Sequence, residues 1–236
     1  MLRTTGLIGG MLLVFSTSCW GSIDWDAIST EGFYVGLGTG PETVFFQKNS
    51  RIISVAQNFN VTDKIQQAGK GWFGSLFGGY AMQFAAREGD RKNLYLAGEI
   101  NVNTGSDKFK YSNFERVHMT LNTTTYKMGR SFGVSVLPGF LVTDDTLFYG
   151  RLAYAKRKLS IMTTDNTLVN INKYRCGFRY GVGIRQAVSE RFSVRLDYSH
   201  TAYRKAKMFV AVDPVTKNTT IKPTVSQVEV GVVFDI

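Results

Sequence analysis

Cysteine, histidine and proline are scarce in this chain, which has two cysteines, two histidines and four prolines among 236 residues. If Cys19 is removed with an N-terminal leader, Cys176 is a lone thiol without an intramolecular partner, and a disulfide framework is ruled out in the mature chain. His118 and His200 stand far apart without a thiolate cluster, so the sequence predicts no metal site. We predict no cofactor.

Long apolar runs and helical patterns are also missing. Beyond residue 21 no stretch approaches the roughly eighteen apolar residues of a membrane-spanning helix. No segment of useful length has a helical period, which excludes a βαβ fold. The net charge of +10 comes without a zinc-finger spacing, a helix-turn-helix pattern or an RNP-type aromatic segment. We therefore predict no nucleic-acid partner and assign the charge to a surface or a lumen.

The first 21 residues read as a secretory signal peptide. A basic start precedes an apolar run at 7–15, and small residues follow. Cleavage after Ser18 and cleavage after Gly21 both satisfy the small-residue rule, and the sequence leaves both sites open. Cys19 allows a lipoprotein interpretation, but Ser16 stands where a lipidation site usually has an aliphatic residue.

The segment YRCGFRYGVGIRQAV, residues 174–188, alternates between basic or glycine residues and apolar or aromatic ones. A period of two indicates an extended strand, because successive side chains of a strand point to opposite faces. Eight segments have this alternation, at 32–40, 72–85, 93–103, 130–142, 146–158, 174–188, 191–203 and 225–236. The chain is therefore predicted to be all-β with eight strands.

The predicted connections alternate in length. Short links with Gly, Asp or Ser follow the second, fourth and sixth strands. The long links lie at about 41–71, 104–129, 159–173 and 204–223. Tight turns at one end and long loops at the other indicate an antiparallel up-and-down barrel over residues 32–236.

Arginines and acidic residues share one face of the last four strands, with glycines between them. An arginine facing lipid costs about 2–4 kcal/mol, so four of them there would exceed a typical domain's stability. We therefore place this face in the lumen of a membrane barrel, where arginine pairs with carboxylate. The predicted lumen network consists of Glu99, Arg151, Arg179, Arg195, Asp197 and Glu229. A soluble barrel with the opposite orientation is the alternative.

Eight short segments carry a family resemblance. They are GFYVGLGTG, SLFGGYAMQF, LYLAGE, VLPGF, LFYGRLAY, YGVGIR, RFSVRLDYSH and VEVGVVFDI, in this order. In this order they resemble the small outer-membrane β-barrels of Gram-negative bacteria, of the OmpA-transmembrane or opacity-protein surface-antigen type. The resemblance implies an eight-stranded transmembrane barrel in the cell outer membrane, a short periplasmic segment at 22–31, four extracellular loops and insertion by the barrel-assembly machinery. The family's last strand usually ends in an aromatic residue, whereas here Ile236 is last and Phe234 lies two residues before it.

The predicted long loops are rich in lysine and arginine, which favours contact with anionic partners. A cationic collar that contacts lipopolysaccharide phosphates and outer-membrane lipid is predicted at Lys156, Arg157, Lys158, Arg204, Lys205 and Lys207. We interpret the chain as a non-enzymatic surface protein. Its role is envelope-structural, or recognition of host glycans or proteins, or both.

A lipid-A-modifying barrel enzyme is the first alternative, and a soluble lipocalin-like carrier is the second. Ser199 and His200 are adjacent in one strand, so their side chains point to opposite faces and cannot pair directly. We therefore predict no catalytic residue. A serine or threonine of a neighbouring strand stays open as a partner for the histidine.

Overall fold

The computed structural model describes residues 31–54, 59–85, 93–105, 107–115, 120–163, 171–212 and 215–236. The predicted signal peptide and its cleavage site lie outside these ranges. Ten strands are described: β1 Gly32–Ser54, β2 Phe59–Phe84, β3 Leu94–Gly105, β4 Asp107–Glu115, β5 Thr120–Leu141, β6 Thr146–Thr163, β7 Ile171–Ala187, β8 Phe192–Tyr203, β9 Ala206–Val212 and β10 Val215–Asp235. Within the described ranges, no helix is long and apolar enough to span a membrane.

Eight of the strands close into one antiparallel ring. The order is β1-β2-β3-β5-β6-β7-β8-β10, and β10 pairs back to β1. The two remaining strands continue their predecessors: β4 follows β3 along β5, and β9 follows β8 along β10. The prediction of an eight-stranded up-and-down barrel is confirmed.

The strand register defines the dimensions of the barrel. From Val35 the paired positions run through Gly78, Ile100, Val134, Tyr154, Phe178, Ala202 and Thr224, and they return to β1 at Phe45. The return is displaced by 45 − 35 = 10 residues, which is the shear number. An eight-stranded barrel of this kind has strands tilted by roughly 40° and a lumen that side chains just fill.

We call the end with the tight turns at 142–145 and 188–191 the turn end. In the half of the barrel next to it, apolar side chains point outward, as Ile100 and Val134 do with 66% and 62% of their surface exposed. Pairs of aromatic rings from neighbouring strands surround the turn end, and these pairs are Phe33–Tyr80, Phe140–Phe148 and Phe192–Phe234. Such an apolar band with aromatic rings at its edge is typical of a lipid-facing surface.

The strands continue far beyond this band, into a part of the barrel that we call the extension. It comprises residues 43–54, 59–71, 107–115, 120–130, 156–163, 171–176, 206–212 and 215–226. In the extension the apolar side chains point inward and the polar ones outward, which is the reverse of the membrane-facing half. On β6, Leu159 and Ile161 are buried inside, whereas Lys156 and Lys158 point outward. The inside of the extension is an apolar core, the upper cluster, formed by Val44, Phe46, Tyr126, Met128, Ala155, Leu159, Ile161, Tyr203, Ala206, Ile221 and Val225.

The loop bounds predicted from the sequence are therefore wrong. Most of 41–71 belongs to β1 and β2, and most of 104–129 belongs to β3, β4 and β5. Likewise β6 runs to residue 163 and β7 begins at residue 171, while β9 and β10 occupy most of 204–223. A strand needs about ten residues to cross a membrane, whereas β1 and β2 have 23 and 26 residues. The additional residues continue the barrel into water in place of the predicted loops.

Candidate functional site: the lumen ion network and the outward basic residues

The lumen of the membrane-facing half contains a buried network of two arginines and three carboxylates. Glu99 receives hydrogen bonds from Arg151 Nη1 at 2.7 Å and from Arg195 Nη1 at 2.6 Å. Arg195 Nη2 also donates to Glu229 Oε1 at 2.6 Å. Asp197 lies 3.4 Å from Arg151 Nη2 and 3.2 Å from Arg195 Nε. Five of the six residues predicted for the network are thus brought together.

Aromatic side chains contact this network. Tyr149 Oη donates to Asp197 Oδ2 at 2.8 Å, and Tyr34 Oη lies 3.3 Å from Glu99 Oε2. The guanidinium of Arg195 stacks on the ring of Phe77, 3.2 Å from its centroid. These rings belong to a lower cluster of buried residues that consists of Tyr34, Phe77, Ala81, Tyr95, Ala97, Leu137, Leu147, Tyr149 and Val233.

Arg179, the sixth predicted member, is buried in the lumen but lies apart from this network. Its Nε donates to Thr201 Oγ1 at 3.1 Å. Within the described ranges it has no ion pair with a carboxylate. The period of two predicted its inward direction, but it did not predict the level at which its head group lies.

Arg157 is the one residue of the predicted collar that is not on the surface. It is 2% exposed, and its guanidinium holds both oxygens of Glu42, with Nη1–Oε2 at 2.7 Å and Nη2–Oε1 at 2.6 Å. Gln227 Nε2 donates to the same carboxylate at 2.9 Å. The prediction was wrong because neighbours in a strand alternate in direction, so Arg157 points inward between two outward lysines.

A third ion pair fills the lumen near the turn end. Arg185 Nη2 donates to Asp235 and, at 2.9 Å, to Ser193 Oγ. Its guanidinium also lies over the ring of Tyr34, at 5.6 Å from the centroid. Ion pairs therefore cross the lumen at three levels. The pair of Arg157 and Glu42 lies beside the upper cluster, the network around Glu99 lies below it, and the pair of Arg185 and Asp235 lies near the turn end. This arrangement ties distant strands together and fills the interior.

Outward basic residues lie on two parts of the barrel surface where the apolar band ends. Lys156 and Lys158 on β6 are joined by Arg130 on β5, which was not among the predicted collar residues. Arg204, Lys205 and Lys207 are exposed at the junction of β8 and β9. The remaining members of the predicted collar thus lie on the surface, although they belong to strands and a strand junction and not to long loops.

The structure also supplies a partner for His200. Its Nδ1 lies 2.9 Å from Ser226 Oγ of the neighbouring strand β10, and its ring packs against Tyr180. Both side chains point outward, at the boundary between the apolar band and the extension. Within the described part of the chain, His200 has no hydrogen bond or ion pair with a carboxylate.

A model of the outer membrane protein beta-barrel domain matches residues 11–234. The chain belongs to this family. Its location in the outer membrane, predicted from the sequence, is confirmed with it. No curated protein matches the chain.

Solved structures of similar fold include several outer-membrane barrels. Neisserial surface protein A is 15% identical, with 87% of this chain and 98% of that chain covered and a TM-score of 0.44. OprG from Pseudomonas aeruginosa is 12% identical, with 87% and 97% covered and a TM-score of 0.49. The outer membrane protease OmpT from Escherichia coli is 9% identical, with 88% and 98% covered and a TM-score of 0.45. These likenesses concern the barrel fold alone.

Proposed function

We propose that this outer-membrane barrel is a non-enzymatic surface protein that binds anionic polymers, such as sulfated or sialylated glycans, through its extension. Outer-membrane barrels turn their tight turns to the periplasm, so the extension faces the exterior. The observation that carries the proposal is a basic face on the outward side of β10, β1 and β2. It contains Arg51, Lys64, Lys70 and Lys222, all exposed.

The basic face presents its cations among neutral hydrogen-bonding side chains. Its rows follow the register, as in Thr220–Asn49–Lys64 and Lys222–Gln47–Gln66. No carboxylate among the described side chains points outward on these three strands within the extension. The spacing between strands and the rise per residue give an area of roughly 10 by 27 Å for five such rows on three strands. This area is large enough for a short oligosaccharide.

A shallow cleft lies at the far end of the basic face. It has a volume of about 390 Å³ and is lined by Asn49, Arg51, Thr62, Asn218 and Thr220. Amide and hydroxyl groups around one guanidinium can hydrogen-bond sugar hydroxyls and sulfate oxygens together. The ladder of the sheet and the upper cluster fix the backbone that carries these side chains, which lowers the entropy lost on binding.

The experiment is salt-dependent binding of the refolded mature protein to immobilised heparin. We expect the variant with Arg51→Gln, Lys64→Gln and Lys222→Gln to bind about tenfold more weakly, because each solvent-exposed ion pair contributes roughly 0.2–1 kcal/mol and a tenfold change corresponds to about 1.4 kcal/mol. The matched control replaces one arginine and two lysines on the opposite side, Arg130→Gln, Lys156→Gln and Lys158→Gln. Absence of salt-sensitive binding by the unmodified protein, or an equal loss in both variants, contradicts the proposal.

A second candidate function, hydrolysis of an acyl ester in a membrane lipid, is favoured by the contact between His200 and Ser226. Against it, the backbone N–H groups nearby are used in the strand ladder, so no pair of them is left to stabilise an oxyanion. We expect Ser226→Ala and the unmodified protein to release equal, background amounts of fatty acid from an acylated lipid. Hydrolysis that Ser226→Ala abolishes would replace the proposed function with an enzymatic one.

A further inference from the structure

We propose that the extension binds an extended acidic segment of a partner protein, which adds as a strand between β7 and β9. We call this place the strand gap, and we define it by residues 171–176 of β7 and by β9. The basic face lies on the outward side of β10, β1 and β2 and shares no residue with the strand gap. The proposal is therefore independent of the proposed function and concerns a different ligand.

The ring of strands is interrupted at the strand gap. In the membrane-facing half, β7 pairs with β8 along residues 177–187. Above this level, residues 171–176 of β7 pair with β6, and β9 pairs with β10. Among the described residues, the last rung between the two sides is the hydrogen bond from the backbone N of Arg204 to the carbonyl oxygen of Cys176, at 2.8 Å. Beyond it, one edge of β7 and one edge of β9 have no partner strand in the described part of the chain.

A β-bulge between β8 and β9 explains the interruption. Along β10, Thr224 pairs with Ala202. Three residues earlier on β10, Ile221 pairs with Ala206, which lies four residues beyond Ala202. One extra residue is thus inserted between β8 and β9, and such an insertion bends the strand and can end its pairing on one side. Here the bulge keeps β9 on β10 and separates it from β7.

The two edges supply the hydrogen-bonding groups that an added strand needs. In an antiparallel ladder, successive residues direct their N–H and C=O groups alternately to the two sides of the strand. Since β9 uses one side for β10, and residues 171–176 use one side for β6, about half of the backbone groups of each edge point into the strand gap. Unpaired strand edges of this kind bind extended peptides by strand addition.

Both faces of β7 are accessible at the strand gap. Asn172, Lys173 and Tyr174 are consecutive and all exposed. Alternation places Lys173 on the inward face, because its neighbour on β6 is Leu159, which is buried in the upper cluster. Lys173 is therefore an inward-facing residue that solvent reaches through the strand gap.

Two cations at the strand gap select an acidic segment. Lys173 and Arg175 share one face of β7, and neither side chain forms a hydrogen bond or an ion pair among the described residues. The Nε atom of Arg175 is buried without an acceptor, and its cross-strand neighbour is another arginine, Arg157. A strand with carboxylates at alternate positions would place them beside both cations. The same cations disfavour a second copy of this chain, whose edge would bring like charges together.

The experiment measures peptide binding to the refolded mature chain in detergent micelles by fluorescence anisotropy. The probe is a labelled peptide of alternating valine and glutamate with the length of β9, seven residues. One matched peptide has lysine in place of glutamate, and another is methylated at two adjacent backbone nitrogens, so that neither of its edges can extend a ladder. We expect the acidic, unmethylated peptide to bind and the other two not to bind. Hydrogen–deuterium exchange should then slow at the amides of 171–176 and 206–212.

A pair of double variants tests the two cations. Lys173→Gln with Arg175→Gln should raise the dissociation constant of the acidic peptide by about fivefold, because two ion pairs at the surface are lost. The matched control, Arg51→Gln with Lys222→Gln, removes one arginine and one lysine of the basic face and should change it by less than about twofold. If the double variant does not refold, Lys173→Gln alone should show about a twofold loss.

Any of four results would overturn the proposal. They are absence of binding by the acidic peptide, equal binding of the acidic and basic peptides, unchanged binding after backbone methylation, and equal losses in the two double variants. Protection from exchange at strands other than β7 and β9 alone would contradict the assigned place. None of these measurements uses heparin, so a failure here is distinguishable from a failure of the proposed function.

Discussion

Replacing Glu99 by glutamine tests whether the lumen network stabilises the barrel. Glu99 is 1% exposed and accepts two short hydrogen bonds, from Arg151 and Arg195. A hydrogen bond to a charged group contributes roughly 1.5–3 kcal/mol, and breaking a buried ion pair costs about 3–5 kcal/mol. The amide group of the glutamine would also place its N–H donors next to the N–H donors of the two guanidinium groups, and two donors cannot form a hydrogen bond with each other.

The charge count of the network limits this loss. It contains three carboxylates and two arginines, so Glu99→Gln brings its formal charge to zero and offsets part of the destabilisation. We therefore expect a decrease of about 3 kcal/mol in the free energy of unfolding. Arg195→Gln should be worse, about 5 kcal/mol, because it leaves Glu99, Asp197 and Glu229 with one arginine.

The assay is urea unfolding of the refolded protein in lipid vesicles, followed by tryptophan fluorescence and by the heat-modifiable shift on a gel. Glu190→Gln, at an exposed position in the 188–191 turn, is the control with the same change of side chain. A loss below about 1 kcal/mol for Glu99→Gln would refute the reasoning. So would an Arg195→Gln variant that is more stable than Glu99→Gln.

Three further predictions use the same unfolding assay. Arg157→Leu should destabilise the barrel by about 3–5 kcal/mol, because it leaves the carboxylate of Glu42 buried without its arginine; a neutral result would show that the pair is dispensable. Gly183→Ala should cost about 1–3 kcal/mol, since its Cβ would lie 2.6 Å from Tyr149 Oη and 2.7 Å from Asp197 Oδ1. Arg179→Met should change stability by less than about 1.5 kcal/mol, because the residue has one side-chain hydrogen bond and no ion pair among the described residues, so a larger loss would point to an interaction beyond it.

The ring of eight strands was predictable because each strand's apolar residues share one face throughout the membrane. The choice of that face was predictable as well, since Arg151 and Arg195 cannot face lipid. The partner of each side chain within the lumen network was less predictable from the sequence. A sequence pattern gives the direction of a side chain, whereas the height of its head group depends on the shear of the barrel, which placed Arg179 apart from the others.

The extension was missed for a physical reason. Its strands have the same period of two, but their apolar residues point inward and their lysines and amides outward. When the apolar residues change from outward to inward positions within one strand, as between Tyr154 and Leu159, the sequence pattern is interrupted and the polar remainder resembles a loop. The collar prediction failed at Arg157 for a different reason, because it ignored the alternation of direction in Lys156-Arg157-Lys158. A search for a change of phase, and not only for a period, would have found the extension.

The packed lumen has a consequence for the cell that makes this protein. Side chains fill the interior from the lower cluster through the ion pairs to the upper cluster. We therefore expect each copy to add a projecting surface to the envelope without adding a hole for solutes. A bacterium that displays many copies of such a barrel is then expected to keep its permeability barrier against small toxic molecules.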